Sequence, residues 1–304
     1  MAERFFEQEV QSRPLGASHE PQPRALAALV EEVRNYACGG AQPLVLAGLE
    51  RTADYQDLRY AELYWQRLLP FVKLAAMNGQ NECELLATAA SQLALAMTFA
   101  DSIWVAELKL RARRYGKPGL GKGEVFGIAE FMHLRSEEIV DTMPTELGRR
   151  LLKSQIGRAL LRKITAQGLL VRSTSLSGFL LLYFVASLKP WRRRSLRFAR
   201  ETEGLEEWLD TVWAAAKHDL QLATNLARAR SLLRGYGATY ERGLKKFDTI
   251  CEFVRNNHFS VDADGIDTLI AAAQAEEGTD ALEAAIAKLG SQRRPVKRAM
   301  AGSR

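Results

Sequence analysis

The sequence predicts a mainly α fold: a multi-helix globular domain with a long central core helix and, at most, one small β-hairpin or two short strands. Two observations carry this. Apolar residues recur three and four positions apart over long stretches, as a helix with one buried stripe requires, whereas the strict alternation of a half-buried strand is weak everywhere. The chain has 304 residues, 47% of them hydrophobic and 8% aromatic, which is enough to enclose a sizeable core.

Taken in order, Pro14, Gly16, Pro21 and Pro23 among polar residues make the start a mobile leader. A short helix from Arg24 to about Ala37 follows, ended by Gly39 and Gly40, and completes a first segment over 1–44. The core domain spans 45–255. Within it, Tyr60, Leu63, Tyr64 and Leu68 mark a helix that Pro70 stops or kinks. Leu86, Ala90, Leu93, Met97, Ala100, Trp104 and Leu108 place about 30 residues on one central helix with a single buried stripe. Short extended pieces fall at Glu124 to Ile128 and Leu169 to Thr174. Ser136 with Glu137 and Glu138 starts a helix, which Asp141, Thr142 and Pro144 break.

Leu176 to Leu188 is a thirteen-residue run without a charge, shorter than the roughly 20 residues a bilayer span needs, so it reads as a fully buried helix ended by Lys189-Pro190. Helical pattern resumes from Glu201 to Asn256, with a turn at Gly235-Tyr236-Gly237. An alanine-rich helical appendage occupies 256–290, and 291–304 is a basic disordered tail.

Charge is uneven. Residues 149–200 hold thirteen Lys or Arg and no Asp or Glu, although the whole chain is only +6. Such a block attracts an acidic protein, a phosphorylated ligand, nucleic acid or an anionic membrane, unless the acidic run Glu201, Glu203, Glu206, Glu207 and Asp210 neutralises it. The start MAERFFEQEV has charges where a signal peptide needs apolar residues, and no stretch is long enough to span a membrane. Cys38, Cys83 and Cys251 are odd in number, far apart and without a CxxC, so neither a disulfide framework nor a cysteine metal site is expected. A reducing, cytoplasmic location follows as the expectation.

Motifs that would carry chemistry are incomplete. Gly116 to Lys122 fits GxxxxGK, but Gly123 stands where a phosphate loop needs Ser or Thr, and no apolar strand precedes it. Glu130 and His133 have ExxH spacing, yet a di-metal site needs a second such pair, and none of the four histidines makes HExxH. Arg234-Gly-Tyr-Gly237 opens like an RNA-binding motif, but Ala238 replaces the required aromatic. Asp262 to Gly265 lacks the carboxylate that a calcium loop needs nine residues after Asp262, and is read as a helix cap. No catalytic residue and no metal ligand is assigned. Glu130, His133, Arg135 and Asp141 have the types needed for acid–base chemistry, if they converge.

Six ordered blocks are informative together. They are Asp54-Tyr-Gln-Asp57 with Tyr60 and Tyr64; Ser102 to Lys109 with Arg111; Glu130 to His133 with Arg135; Asp141 to Pro144; Val171-Arg172-Ser173-Thr174 running into Gly178 to Tyr183 and Trp191 to Arg194; and Gly235 to Gly237 with Arg242 and Phe247. Over about residues 45–255 the chain resembles the C-terminal domain of the indolepyruvate oxidoreductase beta subunit, of the indolepyruvate ferredoxin oxidoreductase family. In that family a gamma-type oxidoreductase domain precedes this region, where about 44 residues stand here, so the expectation is an accessory domain apart from its catalytic half. The resemblance implies an accessory, non-catalytic component of an arylpyruvate:ferredoxin oxidoreductase system. This chain would bind no cofactor itself. Thiamine diphosphate and iron–sulfur clusters would sit in a catalytic partner subunit, with ferredoxin as a further partner. The implied contact residues are Lys109, Arg111, Glu130, His133, Arg135, Asp141, Arg172, Ser173, Thr174, Arg192, Arg193 and Arg194. Ala100, Trp104, Leu134, Ala238 and Tyr240 depart from the family pattern. The alternative is a standalone basic helical module for nucleic acid or another acidic partner.

Overall fold

The computed structural model describes residues 24–78, 83–115, 129–132, 150, 154–155, 169–172, 176–233, 238–275 and 278–292. Helices dominate, as expected. They are α1 (Arg24–Tyr36), α2 (Gln42–Tyr55), α3 (Leu58–Asn78), α4 (Cys83–Met97), α5 (Ser102–Tyr115), α6 (Leu176–Ser187), α7 (Leu196–Ala216), α8 (Leu220–Ala229), α9 (Ala238–Asn256), α10 (Ala263–Ala275) and α11 (Asp280–Gln292). Short 3-10 turns lie at Lys189–Arg194 and Arg230–Leu232. The strands β1 (Ala129–Met132) and β2 (Leu169–Arg172) pair antiparallel, Ala129 opposite Arg172. The second matches the extended piece expected there, and the first lies just after the one expected at Glu124 to Ile128.

The chain divides into two compact units, one formed by 1–51, 58–95 and 206–304 and the other by 52–57 and 96–205. In the first unit, Leu49, Leu68, Leu86 and Leu93 are fully buried, and the Tyr64 hydroxyl donates to the Ala90 carbonyl at 3.1 Å. Gly48 makes this approach possible. A Cβ there would stand 2.1 Å from the Tyr64 hydroxyl, so α2 and α3 meet closely only because position 48 has no side chain. Burial without ionic partners pushes the Tyr64 hydroxyl well above the usual phenol range.

Polar anchors organise the remainder of this unit. The Asp219 side chain accepts from Leu222 N at 2.6 Å, capping α8, and Asp262 accepts from Gly265 N at 3.1 Å, capping α10, so that motif is a cap as the sequence suggested. Lys246 donates to the Ala273 carbonyl at 2.7 Å from a buried position. The Arg230 guanidinium lies 5.0 Å from the centre of the buried Trp208 ring.

Three sequence expectations are corrected, and of the stop or kink expected at Pro70 the stop is removed. The long central helix is two helices, α4 and α5, because Asp101 accepts the Trp104 N–H at 2.6 Å and starts a new one. Pro70 does not stop α3, which continues to Asn78. The proline removes only the N–H that would reach Gln66, and burial of Leu68, Phe71, Val72 and Ala75 around it offsets that loss. Helix α6 is not fully buried, as described below. Cys38 and Cys83 are joined as a disulfide across 45 residues of chain, with Cα atoms 5.9 Å apart, inside the range such a bond spans. Spacing alone could not reveal this pair, because it is the return of α4 to the corner after α1 that brings them together. The leader, the glycine-rich 116–122 segment, the turn at 235–237 and nearly all of the tail lie outside the described residues.

Two outcomes follow. Closing a 45-residue loop removes denatured-state entropy worth about 4 kcal/mol. Cys38→Ser should therefore lower the melting temperature of non-reduced protein and leave fully reduced protein unchanged, as calorimetry with and without dithiothreitol would read. Asp248 is pushed up from the ordinary carboxyl range, first by burial and then by Glu252 and Glu207. A raised native pKa means that the ionised group weakens the fold at neutral pH and that this penalty disappears as pH falls through the window between its native and unfolded values. Asp248→Asn should melt higher than wild type at pH 7, and the difference should vanish at about pH 4.

Candidate functional site

The densest convergence of sequence-predicted residues is in the second unit. In the 3-10 turn at Lys189–Arg194 successive side chains point about a third of a turn apart, so Arg192 is fully buried while Trp191 is 55% exposed. Arg192 Nε donates to Asp101 Oδ2 at 2.7 Å, its Nη1 donates to Gln56 Oε1 at 3.0 Å and to the Tyr55 carbonyl, and its guanidinium lies 4.1 Å from the centre of the Tyr55 ring. Asp101 is itself only 5% exposed. The Tyr55 hydroxyl lies 3.0 Å from the Phe99 carbonyl and 3.3 Å from Asp101 Oδ2. Trp104 packs against Tyr55 with ring centres 5.2 Å apart.

A second, less buried layer continues the network. Arg111 Nη1 pairs with Asp54 Oδ2 at 2.7 Å and its Nη2 with Glu107 Oε1 at 2.5 Å, while its guanidinium lies 5.5 Å from the Trp104 ring centre. The hydrogen bond to Asp54 is the main reason that Arg111 holds its proton more tightly than usual, burial working the other way. Lys189 Nζ donates to the Asp54 carbonyl at 2.8 Å and to Glu107 Oε1 at 3.2 Å. Gln56 Nε2 returns a bond to the Lys189 carbonyl at 3.2 Å. Glu107 Oε2 is buried without a hydrogen-bond partner. Three carboxylates, Asp54, Asp101 and Glu107, thus meet three cations, Arg111, Lys189 and Arg192. Their charges cancel, and the bonds fasten 54–56, 101–111 and 189–192 to one another.

The other predicted residues fare differently. Arg193 and Arg194 are exposed, and the Arg194 guanidinium lies 5.0 Å from the Trp191 ring centre. Glu130 and Arg172 lie on β1 and β2, and Lys109 on α5, with only their backbone described. Glu130 in a strand does not have the helical ExxH geometry. His133, Arg135, Asp141, Ser173 and Thr174 lie outside the described residues. Among the described residues no cluster of three or more His, Cys, Asp or Glu is arranged to hold a metal.

Sequence reasoning missed Asp101, Tyr55 and Gln56 as members of the network. Asp101 carried a readable signal, an acid interrupting an apolar helical stripe three residues before Trp104. It also misplaced Arg192 on the surface, since a run of three arginines gives no hint of which one turns inward.

Helix α6 packs on α5 through Leu182, Val185 and Ala186, against Ala106 and Leu110. Its opposite stripe is open. Leu180 is 56%, Tyr183 62% and Phe184 61% exposed, with Leu181 beside them. Apolar residues all around a helix conceal this from sequence, because the periodicity that marks an exposed face is missing.

The chain belongs to the family of unknown function DUF6537, whose profile matches residues 41–252. Neither curated proteins nor solved structures gave a match.

Removing one partner of a buried ion pair strands the other, at a cost of about 3–5 kcal/mol. Arg192→Ala and Asp101→Ala should each destabilise by that order in urea unfolding, and the double variant by much less than their sum. Simple additivity would show that the two charges do not form one unit.

Proposed function

We propose that this member of the DUF6537 family is an accessory, non-catalytic component of an arylpyruvate (indolepyruvate):ferredoxin oxidoreductase system. The chemistry would reside in a catalytic subunit that holds thiamine diphosphate and iron–sulfur clusters. One observation supports this reading above others. Blocks that carry the resemblance, Asp54 to Asp57, Ser102 to Arg111 and Trp191 to Arg194, are far apart in sequence yet joined through Arg192, Lys189 and Arg111. A charge-balanced network of this kind suits a part that holds a surface in shape. Within the same reading, the exposed Arg193 and Arg194 provide positive charge for steering an acidic electron carrier, an effect that salt weakens.

The reading is tested by purifying the tagged chain anaerobically from its own host. Partners are identified by mass spectrometry, and arylpyruvate-dependent reduction of ferredoxin is assayed. Co-elution of a subunit containing thiamine diphosphate and iron–sulfur clusters, together with activity, is the expected result. A chain that elutes alone and inactive would remove this function. In an active complex, Arg193→Gln with Arg194→Gln should slow ferredoxin reduction at low salt and matter little at high salt.

A further inference from the structure

Cys38 and Cys83 lie in the first unit, where the corner between α1 and α2 meets the start of α4. Both are half-buried, and Gly39 and Gly40 beside them are exposed. A Cβ on Gly39 would meet no described atom within 4 Å, and one on Gly40 would touch the Cys83 Cβ at 3.5 Å. The turn that borders the sulfurs thus carries no side chain to cover them. Access of that kind separates an exchangeable disulfide from one sealed in a core.

Each sulfur is also held in place by something other than the bond. Gln42 Nε2 donates to the Arg34 and Ala37 carbonyls at 3.0 and 2.9 Å and closes the end of α1, where Val33 and Ala37 are buried. On the other side Leu85, Leu86, Ala89 and Ala90 are buried and fix α4. Opened thiols therefore stay near one another, and closure remains an intramolecular step. The first turn of α4 has less to hold it. Glu84 pairs with Arg228 at 3.2 Å, but both side chains are exposed, and such pairs contribute little. The third thiol, Cys251, is buried and pushed up to about 12 by that burial, so it does not compete for exchange.

We propose that Cys38 and Cys83 are a reversible redox pair, opened and closed by exchange with a low-molecular-weight thiol of the glutathione class, and that opening loosens the first turn of α4 and the corner at 36–41. The thiolate of the small molecule attacks one protein sulfur, the sulfur–sulfur bond breaks, and its electron pair leaves on the other protein sulfur. A second small thiolate attacks the small-molecule sulfur of the mixed disulfide and releases the remaining protein sulfur. Two electrons pass to the protein, the protons of the two small thiols end on its cysteines, and the small molecule departs as its disulfide. Closure is the reverse. The oxidoreductase reading has no part in these steps, so either can fail without the other.

The full chain would be equilibrated without oxygen in mixtures running from excess glutathione disulfide to a large excess of reduced glutathione. Each sample is quenched in acid, alkylated in denaturant with N-ethylmaleimide and weighed by mass spectrometry. The mass should shift from one label, on Cys251, to three, with both forms present at intermediate mixtures. Hydrogen exchange in peptides covering 36–41 and 83–86 should be faster in the open form, and Cys38→Ser with Cys83→Ser should exchange fast in every mixture. A pair that stays closed in the most reducing mixture overturns the proposal and makes the bond a permanent cross-link. One that stays open in the most oxidising mixture overturns it as well, and equal hydrogen exchange in the two forms removes the loosening. The titration and exchange of the wild-type chain decide these outcomes whether or not the double variant folds.

Discussion

A guanidinium with no access to water has to be neutralised where it lies, and in this protein Arg192 imposes that condition on everything around it. An isolated buried charge costs far more than a domain's net stability, so the fold exists only where Asp101, Gln56 and the Tyr55 carbonyl converge on the same point. The position of the 3-10 turn, the start of α5 and the end of α2 are all conditions on that convergence. Asp101 serves two of them at once, since Oδ1 caps the helix while Oδ2 accepts the shorter of the two bonds from the arginine. The outer layer of Asp54, Glu107, Arg111 and Lys189 extends the same principle outward, where water shares the cost and single pairs contribute less.

Periodicity made most helices legible, because burying a face on a 3.6-residue repeat leaves a mark in any sequence. It failed where a different rule competes. The stripe from Leu86 to Leu108 runs in register through a helix break, so period alone could not show that Asp101 restarts the chain. Pro70 signalled a stop or a kink, and the helix does not stop there because the local cost of a missing N–H is small beside the burial of Leu68, Phe71 and Val72. The Cys38–Cys83 bond depends on a chain reversal that neither cysteine's neighbours announce.

The site was legible in part for a related reason. Segments such as Asp54 to Asp57 and Trp191 to Arg194 stood out by their unusual composition, and they do meet. Their mutual arrangement, with Arg192 inward and Trp191 outward, is set by a turn of three residues per repeat that sequence reading did not anticipate. Likewise α6 carries no charged residue on the stripe it leaves open, so nothing in its letters separated a helix sealed inside from one with a side uncovered.

The double duty of Asp101 has a consequence for the order of events in folding. Its arginine partner is 91 residues downstream, and the other bonds of that arginine reach back 136 and 137 residues. Contacts of such separation form late, because the loops they close must be paid for first. During synthesis the ribosome releases Asp101 long before Arg192. Asp101 therefore lacks its arginine until then, and the bonds of Arg192 can close the second unit only after its last third has been made.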